Sequence, residues 1–329
     1  MKTFDYSLVK DPQYFKDGRM DAHSDHTYYR DGEEAQEKAT SFRYDLNGIW
    51  KFHYARNYGS AIQGFEKEEY CCRDWDDIRV PAHIQMEGYD APQYANVQYP
   101  WEGHEDIHPG EIPEHFNPVA SYVKYFEVPE EMQGKRLFIS FQGAESGIAL
   151  WLNGQFVGYS EDSFTPSEFE LTEYVKEGEN KLAAQVFKWT ASSWCEDQDF
   201  FRFSGIYRDV YLYTVPDTHA YDLQIRAIPE ENLDVADLEI KVKTWGKGSI
   251  VFLLGIGWGV DARFMYVGML VCCFFLFLRQ GKGEGGSFAH FRAGRDCAAQ
   301  PFNNGFADGE ADSHTTVCIR CFGNMIFPF

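Results

Sequence analysis

From Leu46 onward the chain alternates apolar and polar positions in short runs. LNGIWKFHYA, WDDIRVPA, ASYVKYFEVP, KRLFISFQG and GIALWLNGQFVGYS follow one another, punctuated by turn residues. Short alternating runs at a spacing of about ten residues predict an antiparallel sandwich. In the third run Tyr122, Lys124 and Phe126 share one face, and Val123, Tyr125 and Glu127 the other. Asn153-Gly154 lies between two apolar runs, and Asn-Gly readily takes the positive φ values of a type I′ turn, so a tight hairpin is expected there. A second turn is expected in EGEN at 177–180. Thr165, Pro166 and Ser167 lead into SEFEL as a loop or strand start, and GIYRDVYLYTVP closes the series as a strand.

Pro216 and Asp217 then mark a domain boundary. Beyond them AYDLQIRAIPEENLDVADLEIKVKTW reads as the opening strands of a second sandwich. The pattern stops near Ile250. Beyond that point six acidic and six basic residues cancel, so the whole formal charge of −21 lies upstream, while five of the eight cysteines lie in the tail. Two apolar runs, SIVFLLGIGWGV and MYVGMLVCCFFLFL, suggest a membrane anchor over 250–278, but Asp261 and Arg263 interrupt them, and the second is shorter than the roughly 20 residues a bilayer needs. A metal site using Cys318-x-x-Cys321 with His290 or His314 lacks a second CxxC at metal spacing. Composition favours a third reading, an aberrant tail over 250–329 produced by a reading-frame shift and expected to be disordered. At the other end, residues 1–40 are polar and without periodicity, an extended arm that orders only by packing on something else. The expected division is therefore an arm (1–40), a sandwich (41–216), a partial second sandwich (217–249) and the tail.

With 44% hydrophobic and 17% aromatic residues the chain can fill a large core. An acidic, aromatic-rich chain argues against nucleic acid, whose phosphates require a basic stripe, and suits carbohydrate, whose C–H faces stack on rings while amides and carboxylates hold hydroxyls. No apolar stretch follows the opening MKTFDYSLVKDP, so a secretory signal is not expected. Cys71 and Cys72 are read as free thiols and the protein as cytoplasmic.

Most candidate chemistry has a plain alternative. His83, His104 and His108 could form a metal trio, but their Pro-rich polar surroundings predict an exposed loop. Trp151 and Trp189 are assigned to the sandwich core, Arg208 and Asp209 to an ion pair or turn anchor, and Tyr159, Glu161 and Asp162 to solvated strand ends. Phe200, Phe201 and Phe203 are expected in core or interdomain packing. Asn96 taken alone is a turn residue, and Asp197 with Asp199 a solvated loop lacking the further carboxylates of a Ca²⁺ site.

Four blocks change that weighting when taken together. LNGIWKF, VPAHIQMEGYDAPQYANVQYP, LWLNGQFVGYSEDSFTPSEFEL and WCEDQDFFRFSGIYRDV occur in the order and spacing that resembles the N-terminal part of family-two glycoside hydrolases, in particular the large bacterial β-galactosidases, over roughly residues 40–249. The resemblance implies an all-β chain: a jelly-roll sugar-binding domain, then the start of an immunoglobulin-like sandwich. It places the two catalytic glutamates in a later (β/α)₈ barrel, which this sequence does not contain, so the chain alone is expected to be inactive. It further implies that Asn96, from YANVQYP, and Asp199, the second Asp of EDQD, reach the edge of the barrel's active site. There both would contact a β-galactoside such as lactose, and Asp199 would ligate Na⁺ or K⁺ while the acidic turn raises the local negative potential. Na⁺ or K⁺ and Mg²⁺ are expected in the intact enzyme, which would be a homo-oligomer partly held by the arm. A non-catalytic carbohydrate-binding module and a subunit-complementing fragment are the alternatives.

Overall fold

The computed structural model describes residues 2–229 and 235–246, together with the backbone of 252–257, 270–275, 290–293 and 314–322. The chain divides into two units. The first comprises Met1–Ala22 and Thr27–Val215, the second His23–His26 and Pro216–Phe329.

The first unit is built from fifteen strands. In chain order they are β1 (Lys16–Asp17), β2 (Arg43–Asp45), β3 (Gly48–Ala55), β4 (Asp76–Val80), β5 (Gln93–Ala95), β6 (Val119–Glu127), β7 (Leu137–Phe141) and β8 (Ala144–Glu145). There follow β9 (Gly147–Leu152), β10 (Gln155–Ser160), β11 (Ser167–Glu170), β12 (Glu179–Phe187), β13 (Phe200–Arg202), β14 (Gly205–Ile206) and β15 (Val210–Thr214). Seven of them form one sheet in the order β1-β10-β9-β12-β6-β3-β4, and β11-β7-β15-β2 form a second. Two short ribbons, β13-β5 and β14-β8, complete the unit.

Alternation along the strands sorts side chains to the two faces of the large sheet, and both faces are buried. Ile148, Leu150 and Leu152 of β9, Leu182, Ala184 and Val186 of β12, and Tyr122 and Phe126 of β6 point into the core shared with Ile139 and Phe141 of β7 and Leu212 of β15. Ala149, Trp151, Ala183, Phe187 and Val123 point the other way, into a second apolar cluster. Trp151 thus lies on the face opposite the inter-sheet core to which the sequence assigned it. The cover over this outer face comes from Val9 and from Ala61, Phe65 and Cys72, with Phe4, Tyr6 and Tyr14 packed against them. The arm does pack: the Phe4 ring meets Trp151 edge-on at 5.6 Å and stacks on Phe187 at 5.7 Å. Within it Tyr6–Lys10 form a 3₁₀ turn, Lys16–Asp17 join the sheet edge, and Gly32–Glu37 form a short helix, α1, capped by the Asp31 carboxylate.

Two turn positions depend on glycine. The β9–β10 hairpin turns through Asn153 (φ 51°) and Gly154 (φ 78°) with Leu152 opposite Gln155, the two-residue turn read from Asn-Gly. At Gly158 a Cβ would collide with the Asp17 carbonyl and the Phe169 ring, so the approach of β1 to β10 requires a bare backbone.

In the second unit, β16 (His219–Pro229) and β17 (Val235–Trp245) pair antiparallel with Ile225 opposite Ile240. His23–His26 lie against β16: the Ser24 N–H donates to the Asp222 carboxylate at 2.9 Å, and a His26 ring nitrogen lies 2.8 Å from the Ala220 carbonyl. Four strands fall in the tail, β18 (Phe252–Gly257), β19 (Leu270–Phe275), β20 (His290–Ala293) and β21 (His314–Phe322). β18 pairs with β19, and β21 lies between β17 and β20 with Cys318 and Cys321 within it. Most of the remainder of 250–329, including much of the 250–278 stretch read as a possible anchor, lies outside the described residues. Among the described residues no helix is long and apolar enough to cross a membrane.

The packing makes a direct prediction. Phe141 has no exposed surface, whereas Ile49 is 59% exposed. Phe141→Ala should lower unfolding free energy by about 3–5 kcal/mol through lost transfer energy and a residual cavity, and Ile49→Ala by less than about 0.5 kcal/mol. Urea titrations of both variants check the contrast; equal costs would mean that the inter-sheet core is not where the structure places it.

Candidate functional site

The ribbon β13-β5 brings together two segments about a hundred positions apart in sequence. Phe200 lies opposite Ala95, Phe201 opposite Tyr94 and Arg202 opposite Gln93. Asp199 and Asn96 are the residues that flank the end of this pairing, one beyond Phe200 and one beyond Ala95. Both residues are exposed. Asp199 adopts the left-handed backbone conformation (φ 52°), which turns the chain out of the short helix α2 (Ser193–Glu196) into β13. The Tyr94 hydroxyl donates to Asp199 Oδ1 at 2.8 Å. This bond to a carboxylate raises the phenol's pKa, and the neighbouring Asn96 amide pulls it the other way. A carboxylate, an amide and a phenol therefore stand side by side at the surface, a set able to accept from and donate to vicinal hydroxyls.

Beneath this exposed end the ribbon rests on buried charge. Arg202 is 1% exposed, and its Nη1 lies 3.3 Å from Asp197 Oδ1. The pair is close enough to attract but not aligned for hydrogen bonding, for neither the guanidinium nitrogens nor Asp197 Oδ2 has a hydrogen-bond partner among the described residues. Burial pushes the Asp197 carboxyl up to about 7 against the pull of Arg202. Glu145, on β8 opposite Gly205, is pushed up to about 8 by burial and by Asp197. Burial also raises Glu196, whose carboxylate accepts from the Ser163 hydroxyl at 2.7 Å. The acidic turn is thus less negative at neutral pH than its sequence suggests, because Asp197 is buried and Glu196 partly so, while Asp199 is exposed.

A second network joins the neighbouring loops. Lys188 donates to Asp90 Oδ2 at 2.6 Å, both side chains being buried. Gln85 donates to the same oxygen at 2.9 Å and to Ser204 Oγ at 3.1 Å, and accepts from the Ser204 N–H at 2.9 Å.

Several expectations are corrected here. Tyr159 and Glu161 are buried instead of solvated: the Tyr159 hydroxyl donates to Glu161 at 2.7 Å, and burial holds that carboxyl near 7. Arg208 and Asp209 do not pair. Arg208 donates to the Phe164 carbonyl at 2.8 Å, and Asp209 accepts from Asn47 at 2.9 Å and faces Arg43. His83 is not in an exposed loop but stacks on Tyr207 at 4.9 Å and meets Phe203 at 4.7 Å, whereas His104 and His108 are exposed. Phe200 and Phe201 are 41% and 56% exposed, outside the core. Tyr94, Glu145 and Arg202 escaped the sequence reading. Tyr94 could have been found as the same-face neighbour of Asn96 at i−2, but no spacing marks Glu145.

Glu145 ties the site to pH. A carboxyl held protonated in the fold to about 8 means that the folded chain binds more protons than the unfolded one, so stability falls as pH rises toward that value. His53 and His83, lowered by burial from 6.5, act in the opposite sense but only below that pH. Urea midpoints should therefore drop as pH rises from about 6.5 to 8 and level off above that, and Glu145→Gln should flatten the drop. An unchanged slope in that variant would exclude Glu145 as its source.

Known proteins match the same region. The sugar-binding domain of the glycosyl hydrolases of family 2 matches residues 43–216. A β-galactosidase of Halalkalibacterium halodurans is 54% identical over 73% of this chain and 24% of its own length. One from Clostridium acetobutylicum is 48% identical over 72% of this chain and 27% of its own. A β-galactosidase large subunit of Leuconostoc lactis is 41% identical over 74% of this chain and 41% of its own. The chain thus spans between about a quarter and two fifths of the length of these curated relatives. Among solved structures, a β-glucuronidase of an uncultured Clostridium sp. is similar at 24% identity with a TM-score of 0.48, over 69% of this chain and 37% of that one. With more than half of its residues matched by the family's sugar-binding domain, the chain belongs to family 2 of the glycosyl hydrolases.

Proposed function

We propose that this chain supplies the N-terminal, sugar-contacting edge of a retaining β-galactosidase that hydrolyses terminal β-D-galactosides such as lactose. The observation that carries the reading is the Tyr94 hydroxyl, which donates to Asp199 at 2.8 Å and also meets the Asn96 amide, at the exposed end of the pairing of β13 with β5. Two groups so far apart in sequence, both open to solvent and resting on a costly buried ion pair, fit a pre-positioned ligand edge better than a connecting loop. Exposed Tyr94, Phe201 and Val97 around them suit contact with the rest of the enzyme.

Asp199 would furnish a ligand to Na⁺ or K⁺, the remaining ones coming from the barrel. One exposed carboxylate with neutral oxygens matches a monovalent ion better than a divalent one. When bound, such an ion supplies positive charge to sugar hydroxyls, while Asn96 and Asp199 fix their orientation by hydrogen bonds. Mg²⁺, a cytoplasmic location and homo-oligomeric assembly belong to the same proposal. The names of the Leuconostoc lactis and Latilactobacillus sakei relatives, both large subunits, favour a second reading in which the chain complements another polypeptide.

Two outcomes test the proposal. Retaining hydrolysis needs two carboxylates about 5 Å apart across the scissile bond, and the proposal assigns both to the barrel. The purified 329-residue chain should then leave an aryl β-galactoside unhydrolysed, and saturable turnover free of host enzyme would refute the assignment. In a chimera joining residues 1–249 to the remainder of the Halalkalibacterium halodurans relative, Asp199→Ala should cost about 2–4 kcal/mol in kcat/KM and Asn96→Ala about 1–3 kcal/mol, with folding unaltered. Unchanged kinetics and unchanged sodium dependence in both variants would return the two residues to ordinary loop positions.

A further inference from the structure

The first unit contains a cavity of about 470 Å³ lined in part by Arg56, Asp90, Trp101, Phe116, Lys188 and Trp189. Its volume is within the range of about 300–1,000 Å³ typical of small-molecule sites.

The segment 101–116 folds back to make one wall. Glu105 holds it there, accepting backbone N–H bonds from Glu114 at 2.8 Å, His115 at 3.1 Å and Phe116 at 2.9 Å. Trp189 meets Trp101 edge-on at 6.0 Å and Phe116 at 5.8 Å, so the apolar part of the lining is a continuous aromatic surface. Trp101 and Trp189 are almost wholly buried, whereas Phe116 is half-buried.

The polar part is built around Lys188, whose side chain is 2% exposed and paired with Asp90 at 7%. Removing both charges from water is costly, and one hydrogen bond between them does not fully offset it. An ammonium carries three donors; Asp90 takes one at 2.6 Å, and Nζ also lies over the Phe116 and Trp189 rings at 6.0 and 5.1 Å. Arg56 lies over Phe116 with its guanidinium carbon 5.3 Å from the ring centre. The exposed rings of His104 and His115 complete the polar lining. Two cations, Arg56 and Lys188, are matched by two anions, Asp90 and Glu105. With its histidines neutral the lining carries no net charge, within a chain of formal charge −21.

A charge-balanced cavity that offers aromatic surface, spare N–H donors and imidazoles selects an uncharged ligand with apolar C–H faces and many hydroxyls. We infer that this cavity is a saccharide subsite, separate from the Asn96–Asp199 edge, which takes an uncharged mono- or disaccharide between Phe116, Lys188 and the two histidines. It requires no part of a barrel, because every lining residue belongs to the first unit.

The test uses the 329-residue chain with lactose as the probe and intrinsic tryptophan fluorescence as the signal. Titration should give a saturable change, since Trp101 and Trp189 line the cavity. The double variant His104→Ala/His115→Ala, altered only at exposed rings, should weaken binding about tenfold, while Asp199→Ala should leave it unchanged. No saturable change up to about 100 mM lactose would overturn the inference. So would binding indifferent to the histidine pair, or binding lost in Asp199→Ala. A preference for glucuronate over lactose would equally overturn it, since an anion contradicts the charge balance. The chimera kinetics with Asp199→Ala and Asn96→Ala read the other site, so failure of one proposal leaves the other standing.

Discussion

Burying both faces of one antiparallel sheet is the constraint on which the first unit depends. Such a sheet ordinarily packs one face on the core and shows the other to water. Here β9, β12 and β6 alternate between two apolar clusters, so neither face can be left bare. The inner face is closed by the second sheet, which is a sandwich in the ordinary sense. The outer face has no sheet to meet it and is closed by irregular chain: the N-terminal arm with Phe4, Tyr6 and Val9, and the segment carrying Ala61, Phe65 and Cys72. A polar arm thus becomes structural through a few large side chains. Two long polar side chains on the buried strands find partners. Gln185 donates to Ser121 at 3.1 Å, and Lys181 donates to the carbonyls of Lys67 and Tyr70 at 2.5 and 2.8 Å, which ties β12 to the covering loop. The cost of burying an ammonium is offset because it fastens that cover.

At the ribbon edge the same economy of charge takes another form. The acidic stretch 196–199 is divided by the left-handed turn at Asp199 into a part facing inward and a part facing water. Asp197 shares the buried Arg202 with Glu145 at the base of the ribbon, and one cation cannot hold two desolvated carboxylates fully ionised, so proton uptake relieves the excess. Asp199, two positions on, remains exposed. The buried cluster therefore sets the position of the exposed one without adding its full charge to it. That separation leaves the exposed carboxylate in a fixed place without a large negative field around it.

Strands, their faces and tight hairpins could be read from the chain wherever alternation and turn chemistry agreed. The Asn153-Gly154 hairpin and the face division of β6 are of this kind, because period two and positive φ are properties of a few neighbouring residues. Tyr159, Glu161 and Trp151 could not be placed that way. Their burial is decided by the arm folding over the outer face, a contact between segments more than a hundred residues apart. Asn96 and Asp199 were found through their motifs, and their adjacency needed the register of two three-residue strands, too short to carry a period. Glu145 and Arg202 left no trace, since a buried ion looks in sequence like any other charged residue until its neighbours are known. The charge of the acidic turn was overstated for the same reason.

The exposed edge and the half-open cavity are two environments made from one loop. Gln93, paired with Arg202 in the ribbon, donates from its side chain to the Pro100 carbonyl at 2.9 Å and so closes the segment that carries Asn96 outward. The same Gln93, Pro100 and the adjoining Trp101 line the cavity on the other side. Outside, the groups are a carboxylate, an amide and a phenol with little apolar cover, suited to completing a site whose other walls come from elsewhere. Inside, aromatic rings and balanced charges leave polarity without net charge. Because both rest on the pinned span from Gln93 to Trp101, the domain can present hydroxyl-binding chemistry on two sides of one short piece of backbone, and the rigidity that orders one side is available to the other.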